Sequence, residues 1–95
     1  MGAQARVHAR VSGRVQGVGF RYFVLDVAQE VGVKGWVRNL RGGEVELVAE
    51  GSRPDLERLL DAVRRGPPLS WVERVQTTWL EPTGDFASFD LRHTV

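Results

Sequence analysis

Nine residues, Gly13-Arg14-Val15-Gln16-Gly17-Val18-Gly19-Phe20-Arg21, set the tightest constraint on how this chain folds. They separate a segment of period two from one of helical period, so the backbone must pass from extended to helical within one short turn. Before the turn, Val7, Ala9 and Val11 alternate with His8, Arg10 and Ser12, which predicts a half-buried strand over Arg6 to Ser12. After it, Phe20, Phe23, Val24, Val27, Ala28 and Val31 recur at helical spacing, and Gly32 is placed to end the helix. Glycine turns through positive φ without strain, so successive backbone N–H groups of the turn can converge on one point. A helix N-terminus adds unpaired donors and a partial positive charge. Together these suit a small anion, phosphate first among them. A glycine turn with no ligand is the plain alternative.

Two observations favour the ligand. A second helix opens at Ser52-Arg53-Pro54-Asp55, where Ser52 can cap the first N–H groups, Pro54 suits the first turn and Asp55 complements the dipole. The first helix has only Val18, Gly19 and Phe20 before Arg21, with no Ser, Thr, Asp or Asn to cap it. Its donors are left for water or a ligand. Arg21 then supplies a planar fork that matches two oxygens of a phosphate at once.

The rest of the chain supplies further strands. Gly35 to Leu40 and Glu44 to Glu50 read as a hairpin around Arg41-Gly42-Gly43. Two registers compete. A two-residue Gly-Gly loop puts Trp36, Arg38 and Leu40 on the apolar face. A three-residue loop with Gly43 left-handed pairs Asn39 with Val45 and Val37 with Leu47. The second is preferred because it buries Val37 rather than Arg38, and it turns Asn39 towards the helix-covered side of the sheet. Leu56, Leu59, Leu60 and Val63 form the buried stripe of the second helix, which Gly66-Pro67-Pro68 stops. Trp71 to Leu80 reads as a fourth strand of weak polarity, its facing open, and Phe86 to Arg92 as a short final strand. Strand, helix, strand, strand, helix, strand, plus a short fifth strand, predicts an α+β ferredoxin-like two-layer sandwich with two helices on one face of an antiparallel sheet. One domain is expected over residues 1–95, with 1–5 flexible.

Composition removes competing chemistries. With no cysteine among 95 residues, disulfides, thiolate nucleophiles and cysteine metal sites are excluded. His8 and His93 lie near opposite ends at no metal-ligand spacing, and the Asp and Glu residues form no paired-carboxylate or Mg²⁺ signal. No Gly-Lys-Ser/Thr follows the glycine loop, so it is not a Walker motif. A net charge of +1 with interspersed signs gives no nucleic-acid footprint. No apolar run approaches the ~18 residues a membrane span needs. The N-terminus carries no hydrophobic signal region, which predicts a cytoplasmic protein. Trp36, Trp71 and Trp79 are read as core or sheet-surface aromatics.

The chain resembles the acylphosphatase family. Gly13 to Arg21 fits the family's Gly-x-Val-Gln-Gly-Val-x-Phe-Arg signature at every specified position, and Gly35-Trp36-Val37-Arg38-Asn39 fits its Gly-Trp-Val-x-Asn segment. The likeness runs from about Val7 to Arg92. It implies hydrolysis of a small-molecule acyl phosphate to a carboxylate and inorganic phosphate, with no metal or other cofactor. By the same resemblance Arg21 binds the phosphate together with the loop of Val15, Gln16, Gly17, Val18, Gly19 and Phe20, and Asn39 holds the attacking water. A monomer that binds neither nucleic acid nor membrane is expected.

Physical chemistry is in keeping with this. An acyl phosphate has a good carboxylate leaving group, so positioning and charge stabilisation can carry most of the catalysis. An uncharged asparagine cannot act as a general base, but its carbonyl can orient a water. The water's proton is expected to pass to the substrate's own phosphate oxygen. The rival reading is a non-catalytic ferredoxin-like binding or regulatory module. An RNA-binding version needs aromatics on the central strands, where this chain offers His8, Arg10 and Ser12 on one and Glu44, Glu46, Val48 and Glu50 on the other.

Overall fold

A computed structural model describes residues 3–95. In chain order it contains β1 (Gln4–Arg14), α1 (Phe20–Val31), β2 (Lys34–Asn39), β3 (Val45–Ser52), α2 (Arg53–Arg65), β4 (Trp71–Leu80) and β5 (Phe89–Leu91). The strands form one sheet in the order β4-β1-β3-β2-β5. The alternation seen in the sequence decides what each face carries. Val7, Ala9 and Val11 of β1 meet Val37 of β2 and Val45, Leu47 and Ala49 of β3 in one buried layer, closed by Phe20, Val24 and Ala28 of α1 and Leu56, Leu59, Leu60 and Val63 of α2. Each large side chain so buried contributes roughly 1.5–3 kcal/mol. This is the expected ferredoxin-like α+β sandwich.

One expectation is corrected. β5 runs parallel to β2, pairing Gly35 with Phe89 and Val37 with Leu91, so the sheet is mixed rather than antiparallel. The route of the chain is the reason. β4 occupies one edge beside β1, and residues 81–88 carry the chain across to the opposite edge instead of turning back on β4. The same crossover shortens β5, since 86–88 belong to it rather than to the expected strand. Of residues 1–5, expected to be flexible, 1–2 lie outside the described residues, while Gln4 and Ala5 pair with Ser52 and Gly51.

β4 explains its own weak pattern. Ser12 pairs with Arg74 and Gly13 with Val72, which leaves Glu73 as the extra residue of a bulge. The bulge breaks the period of two, so Val72 and Val75 both pack against the core, as does Trp79. Gly13 is needed where the bulge passes, because a Cβ there would lie 2.1 Å from the Trp71 carbonyl oxygen.

The hairpin takes the three-residue loop. Leu40 N donates to Glu44 O at 2.8 Å, Gly43 has φ of 102°, and Asn39 pairs with Val45 and Val37 with Leu47. Asn39 therefore shares a face with the fully buried Val37.

Candidate active site

The glycine loop is pinned at both ends by burial. Val15 and Phe20 are 1% and 2% exposed, and the backbone between them turns through positive φ at Gly17 (73°) and Gly19 (78°). An added Cβ would meet nothing within 4 Å at either glycine, so conformation rather than space selects glycine there. Gly19 is the N-cap of α1, left-handed and without a side-chain cap, and the first turn has no acidic residue. α2 differs as the sequence predicts, since Ser52 Oγ accepts from Asp55 N at 3.3 Å. The two helices thus start in opposite ways. α2 is closed by its own residues, while α1 keeps donors and positive dipole for something else.

A pocket of 80 Å³ opens at that helix start, lined by Val15, Gly17, Gly19, Phe20, Arg21, Tyr22 and Asn39. At about 30 Å³ per water, it suits a phosphoryl-sized group rather than a nucleotide. The ion pairs among the described residues engage Arg6, Arg10, Arg38, Arg53, Arg58 and Arg64, and none engages Arg21. Arg21 is half-buried with its charge uncompensated by any such pair. Asn39 reaches the pocket from the other layer, at the end of β2. Its Oδ1 is the one side-chain polar atom among the described residues that is buried without a hydrogen-bond partner. Leaving such an acceptor unsatisfied costs about 1–3 kcal/mol, which a water admitted with a ligand would remove. The backbone of Asn39 is held on both sides, by Val45 in β3 and by Val95, whose N–H donates to Asn39 O at 3.3 Å.

Of the loop residues expected to bind substrate, Gln16 and Val18 do not line the pocket with their side chains. Val18 packs partly against the core. Gln16 sends its amide to the hairpin, where Nε2 donates to Leu40 O at 2.7 Å and to Glu44 O at 2.8 Å. Tyr22 is a residue the sequence reading passed over. It lines the pocket at 60% exposure, and its only signal in the sequence is an aromatic off the apolar stripe directly after Arg21.

Several other charged groups are paired with one another away from the pocket. On the uncovered sheet face His8 Nε2 lies 2.7 Å from Glu46 Oε2, and Arg38 Nε donates to Glu46 Oε1 at 2.8 Å. Burial pushes the Glu46 carboxyl up, but these two partners outweigh it and hold it below its ordinary value. Arg10 pairs with Glu44. Larger hollows of 230 and 460 Å³ lie on either side of the 81–88 crossover. In them Arg6 pairs with Glu50, and Arg92 stacks over the Trp36 ring at 4.9 Å. The small pocket is where an unpaired arginine, an uncapped helix and an open acceptor meet.

The acylphosphatase family model matches residues 7–91. An acylphosphatase of Chloroflexus aurantiacus is 50% identical over 86 residues, covering 90% of this chain and 94% of the relative. One from Anaeromyxobacter sp. is 47% identical over 93 residues, covering 98% and 100%. The crystal structure of acylphosphatase from Bacillus subtilis superposes with a TM-score of 0.90 at 38% identity, covering 93% of this chain and 98% of that one.

Proposed function

The chain belongs to the acylphosphatase family, and from that premise we propose that it hydrolyses an acyl phosphate to a carboxylate and inorganic phosphate in the pocket between the glycine loop and Asn39. The observation that carries the assignment of roles is the meeting of an unpaired Arg21 and an unpartnered Asn39 Oδ1 at an uncapped helix start. The Arg21 fork and the backbone donors of the loop bind the phosphoryl oxygens. As the bond to the acyl oxygen lengthens, the same donors stabilise the charge spread over the equatorial oxygens. Asn39 accepts a hydrogen bond from the attacking water and aims it at phosphorus. The new P–O bond forms from that water, the P–O bond to the acyl group breaks, and the carboxylate leaves with the electron pair. No Asp, Glu or His lines the pocket, in keeping with transfer of the water's proton to a phosphate oxygen of the substrate. Among the described residues no three His, Asp or Glu side chains gather as a metal site, in keeping with a reaction run without one.

We read the protein as one domain over residues 1–95, acting as a cytoplasmic monomer that binds neither nucleic acid nor membrane. The pairing of the acidic side chains on the uncovered sheet face with Arg6, His8, Arg10 and Arg38 supports the first exclusion. No helix among the described residues is long and apolar enough to cross a membrane.

Phosphate release from acetyl phosphate in EDTA tests the reading. Wild type is expected to be active, and Arg21→Ala and Asn39→Ala to lose about 10²-fold or more while staying folded by circular dichroism. In H₂¹⁸O the label is expected in phosphate, because water attacks phosphorus. Activity that vanishes in EDTA, an unimpaired Asn39→Ala, or label in the carboxylate would each contradict it.

A further inference from the structure

We propose that Gln16 is a positioning residue that sets the distance between the bound phosphate and the attacking water. The inference rests on the acyl phosphate reading above and assigns Gln16 a part in it that involves no contact with substrate.

The geometry is specific. Gln16 belongs to the loop that holds the phosphoryl group, and its amide bridges to the β2–β3 hairpin that holds Asn39. Its two acceptors, Leu40 O and Glu44 O, flank the Arg41-Gly42-Gly43 turn. Leu40 directly follows Asn39, and Glu44 directly precedes Val45, the partner of Asn39 across the ladder. One side chain therefore ties the loop to both sides of the Asn39–Val45 pair. Because both acceptors are carbonyls, the group facing them must be the NH₂, and its two protons are both used. No donor of that amide is left for phosphate.

The loop and Arg21 belong to one layer of the site and Asn39 to the other. In-line attack requires the two to stay in register, and a misplacement of about 1 Å costs on the order of 10²-fold in rate. Without the Gln16 bridge the loop keeps its own phosphate donors, but its position relative to Asn39 is set only by packing. Loss of the bridge should therefore appear in the chemical step and not in phosphate affinity.

Gln16→Met keeps the length of the side chain and removes its donors. Gln16→Asn keeps the amide but is one methylene too short to span both carbonyls. For each, kcat is expected to fall roughly 10- to 100-fold while the inhibition constant of inorganic phosphate moves less than about threefold. In an Asn39→Ala background, neither should lower kcat further, because the residue acts through Asn39. Should Gln16→Met fail to fold by circular dichroism, Gln16→Asn decides on the same criteria. The inference is overturned if kcat stays near wild type, if phosphate inhibition weakens in step with kcat, or if the losses multiply with Asn39→Ala. Those outcomes, with Arg21→Ala and Asn39→Ala still crippled, count against Gln16 alone. An inactive wild type or a fully active Asn39→Ala removes the acyl phosphate reading and this inference with it.

Discussion

Glycines with positive φ serve two different ends in this molecule, and substitution separates them. At Gly17 and Gly19 space is open and only the backbone angle is demanding, so Gly19→Ala should cost about 1–2 kcal/mol in urea unfolding. At Gly35, with φ of 145°, a Cβ would sit 1.9 Å from the Val48 carbonyl oxygen, and β2 must separate from β3 to admit it. Gly35→Ala should therefore cost more, about 3 kcal/mol or above. A smaller loss at Gly35 than at Gly19 would contradict this account of the two sites. Tyr22 is a residue-scale test of proton transfer, since it carries the one hydroxyl among the side chains lining the pocket. Tyr22→Phe should keep the kcat of wild type, and a large loss would assign the proton to the phenol. The bends at Gly17 and Gly19, the uncapped helix start before Arg21 and the face of the sheet that Asn39 takes were legible in the sequence from residue type and spacing, whereas the role given to Asn39 is what the family resemblance implies. The direction of the Gln16 side chain was not legible, since its partners are backbone carbonyls more than twenty residues away and a carbonyl leaves no mark on residue type.

Among the elements, the cleanest readings came from competing side chains. Val37 against Arg38 decided the hairpin register, and Asn39 faces the helix-covered side as a result. The stop at Gly32 also held, with φ of 83° and its N–H donating to Ala28 O at 2.9 Å. Where a bulge intervenes the pattern fails, as Glu73 shows by placing Val72 and Val75 on one face of β4. The parallel course of β5 was hidden for another reason, since a crossover is a property of the route and not of the three residues Phe89–Leu91. The capping contrast predicts a further asymmetry. Ser52→Ala removes the bond to Asp55 N and should cost about 1 kcal/mol of stability in urea with kcat unchanged. No loss of stability would mean that the α2 start is held by something other than its cap.

For the whole molecule, the crossover 81–88 joins opposite edges of the sheet, and Glu50 ties it down. The carboxylate accepts from Thr83 N at 2.8 Å, Gly84 N at 2.9 Å and Arg6 Nη1 at 2.9 Å. Burial pushes the Glu50 carboxyl up, but these donors outweigh it and lower it to about 2 from 4.5. A depressed folded value means that this stabilisation is fully present above about pH 4.5 and is lost as pH falls towards 2. Glu50→Gln should unfold more readily than wild type at pH 7, and the gap should close as pH is lowered through that window. A gap independent of pH would contradict this. The crossover also lets the chain return beside β2, so that Val95 meets the Asn39 backbone and the edge of the site is held.

The central claim is that two layers divide the work, the loop and Arg21 binding phosphate and Asn39 directing water. Calorimetric titration of inorganic phosphate into wild type, Arg21→Ala and Asn39→Ala, set beside kcat for acetyl phosphate, reads that division directly. The account predicts that Asn39→Ala binds phosphate as wild type does while kcat collapses, and that Arg21→Ala loses both. Weakened phosphate binding in Asn39→Ala, or full phosphate binding in Arg21→Ala, would contradict it.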